Sequence, residues 1–206
     1  MSVFGKYNKK PVQACLDARE YILGYLKGLI GKCLSPTNQN GIEYTTDSDW
    51  AGLFNVDGDC RSRYGVLITI GDMSVAWRSG RMKPGTCDDS EVKMSSGEAE
   101  VCAASEGLKL AKHIKYICDE LGVDVPDRIY IGVDASVVVA FANNTQVRSK
   151  MKHVNLSWAW VQDLKDKYVV NLYKIDSATN PSDFSTKILT GPGFVKAQKV
   201  LIAVRT

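Results

Sequence analysis

The run Tyr64–Ile70 is apolar and β-branched, the pair Gly71-Asp72 follows it, and Met73–Arg78 begins a second strand-like run. Two strand-forming runs separated by two turn-forming residues predict a tight hairpin, because Gly and Asp accept the positive φ that such turns demand. Upstream, Ile42, Tyr44 and Thr46 alternate with Glu43 and Thr45, which predicts a strand ending at Asp47, and Asp57-Gly58-Asp59 supplies a turn before the hairpin. Three consecutive strands joined by short connections run antiparallel.

Beyond the hairpin the period changes. A polar loop, Ser79–Asp89, leads to Ser95-Ser96 with Glu98 behind them, a helix N-terminus with a serine as cap. Ala99, Cys102, Ala103, Leu108, Leu110, Ala111, Ile114, Ile117 and Cys118 carry the apolar face to about Leu121, and Gly122 closes the helix. Arg128–Val133 reads as a strand, Ala135–Ala142 as a short helix and Asn143–Lys152 as a polar, basic connection. Val154–Lys167 is helical with Trp158, Val161 and Leu164 on one side. Tyr168–Ile175 is a last strand, and Pro181 onward is helical with an interruption at Gly191-Pro192-Gly193. Strands connected through helices lie parallel to the first. The fold class is α/β, a mixed sheet covered by helices.

The N-terminal part stands apart. Val12–Leu29 has helical spacing with Pro11 at a first-turn position, and Lys32–Asn40 is a polar linker containing Pro36. The expected division is residues 1–40, a helix and linker, and residues 41–206, one domain. A hydrophobic fraction of 45% over 206 residues suits a packed core rather than a disordered chain. No apolar run approaches the roughly 20 residues of a membrane-spanning helix, and Met1–Lys10 lacks the apolar centre of a secretory signal. The net charge of +3 permits a polyanionic partner without establishing one. The six cysteines contain no CxxC pair, which argues against a zinc site and a disulfide framework and predicts free thiols, with Cys102 and Cys118 as small core residues.

Four acids are notable for their positions. Asp47 ends the first strand, Glu100 lies in the first turns of the long helix, Asp134 ends the strand 128–133, and Asp183 opens the last helix. In open α/β sheets, functional groups gather where strand C-termini meet helix N-termini. Carboxylates converging there repel one another unless cations lie between them, and hard, oxygen-preferring Mg²⁺ or Mn²⁺ suits such ligands. Two ions about 3.5–4 Å apart activate a water and stabilise the leaving oxygen of an in-line phosphodiester displacement. Taken singly, each acid reads equally well as a turn or cap residue, so spacing alone leaves both readings open.

The blocks around these acids resemble a known family. Tyr44-Thr45-Thr46-Asp47-Ser48-Asp49-Trp50-Ala51-Gly52 is similar to the Y-x-D-x-D-W-A-G signature that opens the ribonuclease H domain of copia-type (Pseudoviridae) LTR retrotransposon polyproteins. In the same order come Arg63-Tyr64-Gly65, like S-G-Y with Arg63 in place of serine, Val75-Ala76-Trp77-Arg78-Ser79, like I-S-W-x-S, and Met94 to Glu100, like L-S-S-T-E-A-E. Asp134-Ala135-Ser136 stands where the family has D-N-x-S, Arg148 to Val154 resembles R-T-K-H-I, and Ser182 to Lys187 resembles A-D-x-x-T-K. Arg19 to Gly28 resembles R-x-L-R-Y-L-K-G at the end of the reverse transcriptase region, so residues 1–40 are expected to be the tail of that region.

The resemblance implies a ribonuclease H-like mixed five-stranded sheet, three antiparallel strands then parallel ones. It implies a divalent-metal-dependent endonuclease that cleaves the RNA strand of RNA–DNA hybrids during retrotransposon reverse transcription. Asp47, Glu100, Asp134 and Asp183 become the catalytic, metal-binding carboxylates for two Mg²⁺ or Mn²⁺ ions, with Asp49 and Glu98 as rivals two residues away. The implied partners are the hybrid and the reverse transcriptase domain of the same polyprotein, with no membrane. The implied location is the cytoplasm, including virus-like particles, or the nucleus, and not the secretory route. Asn155 and Ala159 replace the family's acid and histidine after K-H-I, Ala135 replaces an asparagine, and Ser177–Pro181 lacks the mobile histidine of many cellular ribonucleases H. These departures keep a second reading open, a catalytically decayed or repurposed nucleic-acid or protein interaction module. A third, an integrase-like strand transferase, lacks the Trp-Ala-Gly and Ser-Ser-x-Glu-Ala-Glu blocks.

An RNA–DNA hybrid is recognised through phosphates, shape and 2′-hydroxyls. Arg148, Lys150, Lys152 and His153 form the densest basic cluster and are the expected substrate contacts, with His153 alternatively a helix cap or core partner. Lys109, Lys112, His113 and Lys115 are either further phosphate contacts or a solvated helix face. Trp50 and Trp77 are expected in the core.

Overall fold

The structure, a computed structural model, describes residues 10–32, 34, 41–52, 61–82, 96–143, 156–187 and 189–201. Helix α1 spans Gln13–Lys27 and buries none of its residues. Strands β1 (Ile42–Asp49), β2 (Arg63–Ile70) and β3 (Met73–Arg81) follow, then the long helix α2 (Ser96–Leu121). Strand β4 (Ile129–Val133), helices α3 (Ser136–Asn143) and α4 (Leu156–Asp166), strand β5 (Val170–Lys174) and helix α5 (Gly191–Leu201) complete the order, with 3₁₀ turns at Ser177–Thr179 and Pro181–Ser185 before α5.

The five strands form one sheet in the order β3-β2-β1-β4-β5. The pairs β1–β2 and β2–β3 are antiparallel, and β1–β4 and β4–β5 are parallel. The expected α/β fold, a mixed five-stranded sheet with three antiparallel strands followed by parallel ones and flanked by helices, is what the chain adopts. The hairpin turn has Gly71 at φ 56° and Asp72 at φ 64°, the left-handed pair that matches strand twist. Gly122, at φ 68°, ends α2 as its composition requires.

The two faces of the sheet differ because residues in register share a face. Tyr44 and Thr46 lie on the same face as Ile68, Val66, Ile131 and Val133, and α2, α3 and α4 pack there. Val66, Ile68, Leu108, Ile129, Ile131, Val133, Val138 and Val161 are almost completely buried in this core. Thr45 and Asp47 point to the opposite face, which is covered in part by the turn at residues 181–186.

Two glycines set how closely these layers approach β1. A Cβ on Gly107 of α2 would stand 2.2 Å from Thr46 Cγ2, so the helix lies against the strand only because that position has no side chain. On the other face, a Cβ on Gly65, the register partner of Asp47, would meet Ser185 Oγ at 1.9 Å and the Ser182 carbonyl at 2.8 Å.

Several local expectations are corrected. Strand β1 runs on to Asp49, because Ser48 and Asp49 still pair with Tyr64 and Arg63. Strand β3 extends to Arg81. Asp183 lies in the 3₁₀ turn ahead of the last helix, and Gly191-Pro192-Gly193 opens α5 rather than interrupting it, since proline is well tolerated in a helix's first turn. Trp50 and Trp77 are 49% and 65% exposed. Trp77 pairs with Leu67 on the edge strand, on the face away from α2, α3 and α4. Cys15 and Cys118 are free thiols, whereas Cys102 is disulfide-bonded, a pairing fixed by proximity in space that chain spacing does not reveal. The turn expected at Asp57-Gly58-Asp59 lies outside the described residues.

Candidate active site

The parallel ladder between β1 and β4 stops at Thr46–Val133. One residue further on, Asp47 continues along β1 and Asp134 turns off the end of β4, so the two carboxylates flank a gap in the sheet. Glu100 enters this gap from the first turns of α2, on the same helix face as Gly107 two turns later. One carboxylate oxygen from each of Asp47, Glu100 and Asp134 lies within 4.8 Å of the others. Asp47 is buried, and Glu100 and Asp134 are partly buried.

Crowding and burial act on these groups in the same direction. The Glu100 carboxyl is pushed from 4.5 up to about 8, first by desolvation and then by the charges of Asp47 and Asp134, with neighbouring Ser48 opposing the shift. Asp47 is raised from 3.8 to about 6, again chiefly by desolvation. A hydrogen bond from Thr186 opposes the shift, Asp134 and Asp183 add to it, and Lys187 lowers it. Glu100 Oε2 and Ser48 Oγ are buried without a hydrogen-bond partner among the described residues. A buried carboxylate oxygen with no donor, facing two other carboxylates, is satisfied by a proton or by a cation. Hard divalent ions with oxygen ligands therefore fit this donor set.

Asp183 is close enough to raise the Asp47 pKa but lies outside the three-carboxylate cluster. Its Oδ1 accepts a short hydrogen bond from Lys187 Nζ, an ion pair one helical turn along the chain. The turn that carries it is tied to β1 and β3 at several points. Thr186 Oγ1 donates to Asp47 Oδ2 through a short hydrogen bond, and Thr45 Oγ1 and Ser182 Oγ are 2.8 Å apart. Asn180 Nδ2 donates to the Thr46 carbonyl at 3.0 Å, while Asn180 Oδ1 accepts from the Ser182 N–H at 3.0 Å. Ser79 Oγ donates to the Ser185 carbonyl.

The structure thus gathers Asp47, Glu100 and Asp134 and leaves Asp183 at their edge on Lys187. Of the rivals, Glu98 is not in the cluster, and Asp49 is partly buried with its pKa raised, first by desolvation. Arg148, Lys150, Lys152 and His153 lie outside the described residues. Lys109, Lys112 and His113 are exposed on α2; Lys109 pairs with Glu106 at 2.5 Å, and Lys115 with Asp119 at 3.2 Å. Reading the sequence for acids missed Thr186, Lys187, Asn180 and Ser48. The first two stand in the same Ser182–Lys187 block as Asp183, and that adjacency was the available signal.

The chain is 27% identical over 190 residues to the retrovirus-related Pol polyprotein from transposon TNT 1-94 of Nicotiana tabacum. The match takes in 92% of this chain and 14% of that polyprotein, so the chain spans about one seventh of its relative's length. The resemblance read from the sequence blocks is thus met by a retrotransposon Pol polyprotein. No protein-family profile matches the chain. Among solved structures, RNase H1 from Halobacterium salinarum NRC-1 is 13% identical, with a TM-score of 0.44 over 71% of this chain and 94% of that one. The N-terminal RNase H domain of a Mycobacterium tuberculosis protein is 13% identical, with a TM-score of 0.46 over 71% and 90%.

Proposed function

We propose that this chain is the ribonuclease H part of a copia-type retrotransposon Pol polyprotein, an endonuclease that uses divalent ions to cleave the RNA strand of RNA–DNA hybrids during reverse transcription. The observation that carries this reading is the meeting of Asp47, Glu100 and Asp134, distant in sequence, within 4.8 Å at the end of a parallel ladder. Such crowding is costly without counter-charge beyond the partly exposed Lys187 ammonium, and Glu100 Oε2 is buried without a hydrogen-bond partner among the described residues.

Asp47, Glu100 and Asp134, with Asp183 beside them, would hold Mg²⁺ or Mn²⁺, two ions in the reading preferred here. When bound, such ions supply the positive charge that in-line phosphodiester hydrolysis needs on its attacking and leaving oxygens. The protein's part is placement. Thr186 fixes the Asp47 carboxylate through its hydroxyl, and Asn180 holds the turn against β1 so that this contact persists. Arg148, Lys150, Lys152 and His153 are assigned to the phosphates of the hybrid. Residues 1–40 are assigned to the end of the reverse transcriptase region, with that domain as the partner in the same polyprotein and residues 41–206 as the nuclease domain. Helix α1 suits this assignment because it exposes Tyr21, Leu23 and Leu26, with Ile30 exposed just beyond its end, and buries none of its residues. The cytoplasm, including virus-like particles, or the nucleus is the expected location. Among the described residues no helix is long and apolar enough to cross a membrane.

The test is cleavage of an end-labelled RNA–DNA hybrid in Mg²⁺, with Asp134→Asn run alongside. Wild type should cut the RNA strand, and the variant should lose nearly all activity. Equal cleavage by both proteins would show cutting that does not come from this site, and none by either would favour a module that only binds; each outcome overturns the catalytic reading.

A further inference from the structure

We infer that Lys187 is a built-in competitor for the divalent ions, a positioning residue that keeps the fourth carboxylate, Asp183, out of the ion site until a cation displaces it. The inference rests on the metal-site reading above. Its basis is the asymmetry of the four acids. Three of them share one gap with their oxygens within 4.8 Å, whereas Asp183 is paired by Lys187. The ammonium also acts electrostatically on Asp47 and Asp134, so it partly neutralises the site as a whole.

Both ends of this pair are held by the same short turn. Thr186 is bonded to Asp47, and the next residue, Lys187, reaches back to Asp183. Pivoting the turn would break the Asp47 contact, so Asp183 exchanges partners most easily by movement of the lysine side chain. Lys187 is 52% exposed at its side chain and Asp183 24%, which leaves the ammonium a path into solvent. A divalent ion arriving at Asp183 then competes with a single, partly hydrated positive charge.

Direct ion binding tests this without reference to turnover. Mn²⁺ is titrated calorimetrically into wild type, Lys187→Met, Lys187→Gln and Lys187→Arg, each first shown to melt cooperatively in chelator. Removing the ammonium should lower the half-saturating Mn²⁺ concentration by up to about fivefold, the scale expected for a partly exposed ion pair. Lys187→Arg should stay near wild type. A general loosening of the turn predicts the reverse, weaker binding in all three variants. Unchanged or weaker binding in both neutral variants, with wild type still binding Mn²⁺, overturns the role of Lys187 alone. If wild type takes up no Mn²⁺, or Asp47→Asn binds as well as wild type, the metal-site reading falls and this inference with it.

Discussion

Gly107→Ala is a small substitution with a calculable consequence. The new Cβ would lie 2.2 Å from Thr46 Cγ2, whereas unstrained carbon contacts are about 3.5–4.0 Å, so roughly 1.5 Å must open between α2 and β1. Thr46 is fully buried and β-branched, which makes a rotamer change a poor escape. Alanine is favoured over glycine in a helix by about 1 kcal/mol. Overpacking of this kind costs about 1–3 kcal/mol, so the net expectation is a loss of up to about 2 kcal/mol. The sign should reverse once the opposing methyl is removed. In a Thr46→Ser background, Gly107→Ala should stabilise by up to about 1 kcal/mol, giving a coupling of about 1–3 kcal/mol in the double-mutant cycle. Urea denaturation of the four proteins in chelator measures this. The single Gly107→Ala variant should also lose about 100-fold in hybrid cleavage, because Glu100 rides on the same helix and a displacement of about 1 Å at a reacting centre has that effect. Coupling indistinguishable from zero would refute the claim that this contact sets the distance between helix and strand.

Asn180→Ala removes both the donor to the Thr46 carbonyl and the acceptor for the Ser182 N–H, leaving buried polar groups unpaired. It should destabilise the protein by about 1–3 kcal/mol in urea denaturation. The raised carboxyls predict an unusual pH dependence for ion-free protein. Glu100 titrates near 8 and Asp47 near 6 in the fold, against 4.5 and 3.8 without it, so the folded state keeps protons that the unfolded chain has released. Stability is then fully present below about pH 4 and is lost as pH rises towards about 8. Melting in chelator should give a lower Tm at about pH 8 than at about pH 5, and Glu100→Gln should flatten the difference. A Tm that climbs over this interval would contradict the crowding of the acids.

What could be read from the sequence was set by local chemistry. The hairpin at Gly71-Asp72 and the helix closed by Gly122 depend on backbone preferences that neighbours in the chain supply, and both formed where expected. Asp47, Glu100 and Asp134 were legible because strand ends and a helix start are local features, and the topology of strands joined through helices brings such ends together. Failures came where the outcome depended on what packs from a distance. Trp77 has the composition of a core residue, but its exposure follows from β3 being the edge strand and from α2, α3 and α4 lying on the other face. Pro181 and the residues after it suit a helix, which would place Asp183 at its start. Instead, Asn180 and Ser182, tied to β1, hold that stretch as a 3₁₀ turn.

The two close-packed glycines explain why the acid cluster forms on this strand. Gly107 admits a helix to one face of β1, and Gly65, beside Asp47, admits a turn to the other. The helix brings Glu100, and the turn brings Thr186, Asp183 and Lys187. Neither layer could deliver its side chains if it were held off by even a methyl group, so the short distances among the carboxylates and the absence of two side chains have a single geometric cause. The same closeness excludes water, which raises Glu100 and Asp47 and makes an ion the better counter-charge at neutral pH. On the proposed metal-site reading, proton uptake by the ion-free protein and affinity for divalent ions are therefore two readings of one distance. A substitution that relaxes either layer outward must lower both together, whereas a change confined to Lys187 alters the ion affinity and leaves the packing of β1 as it was.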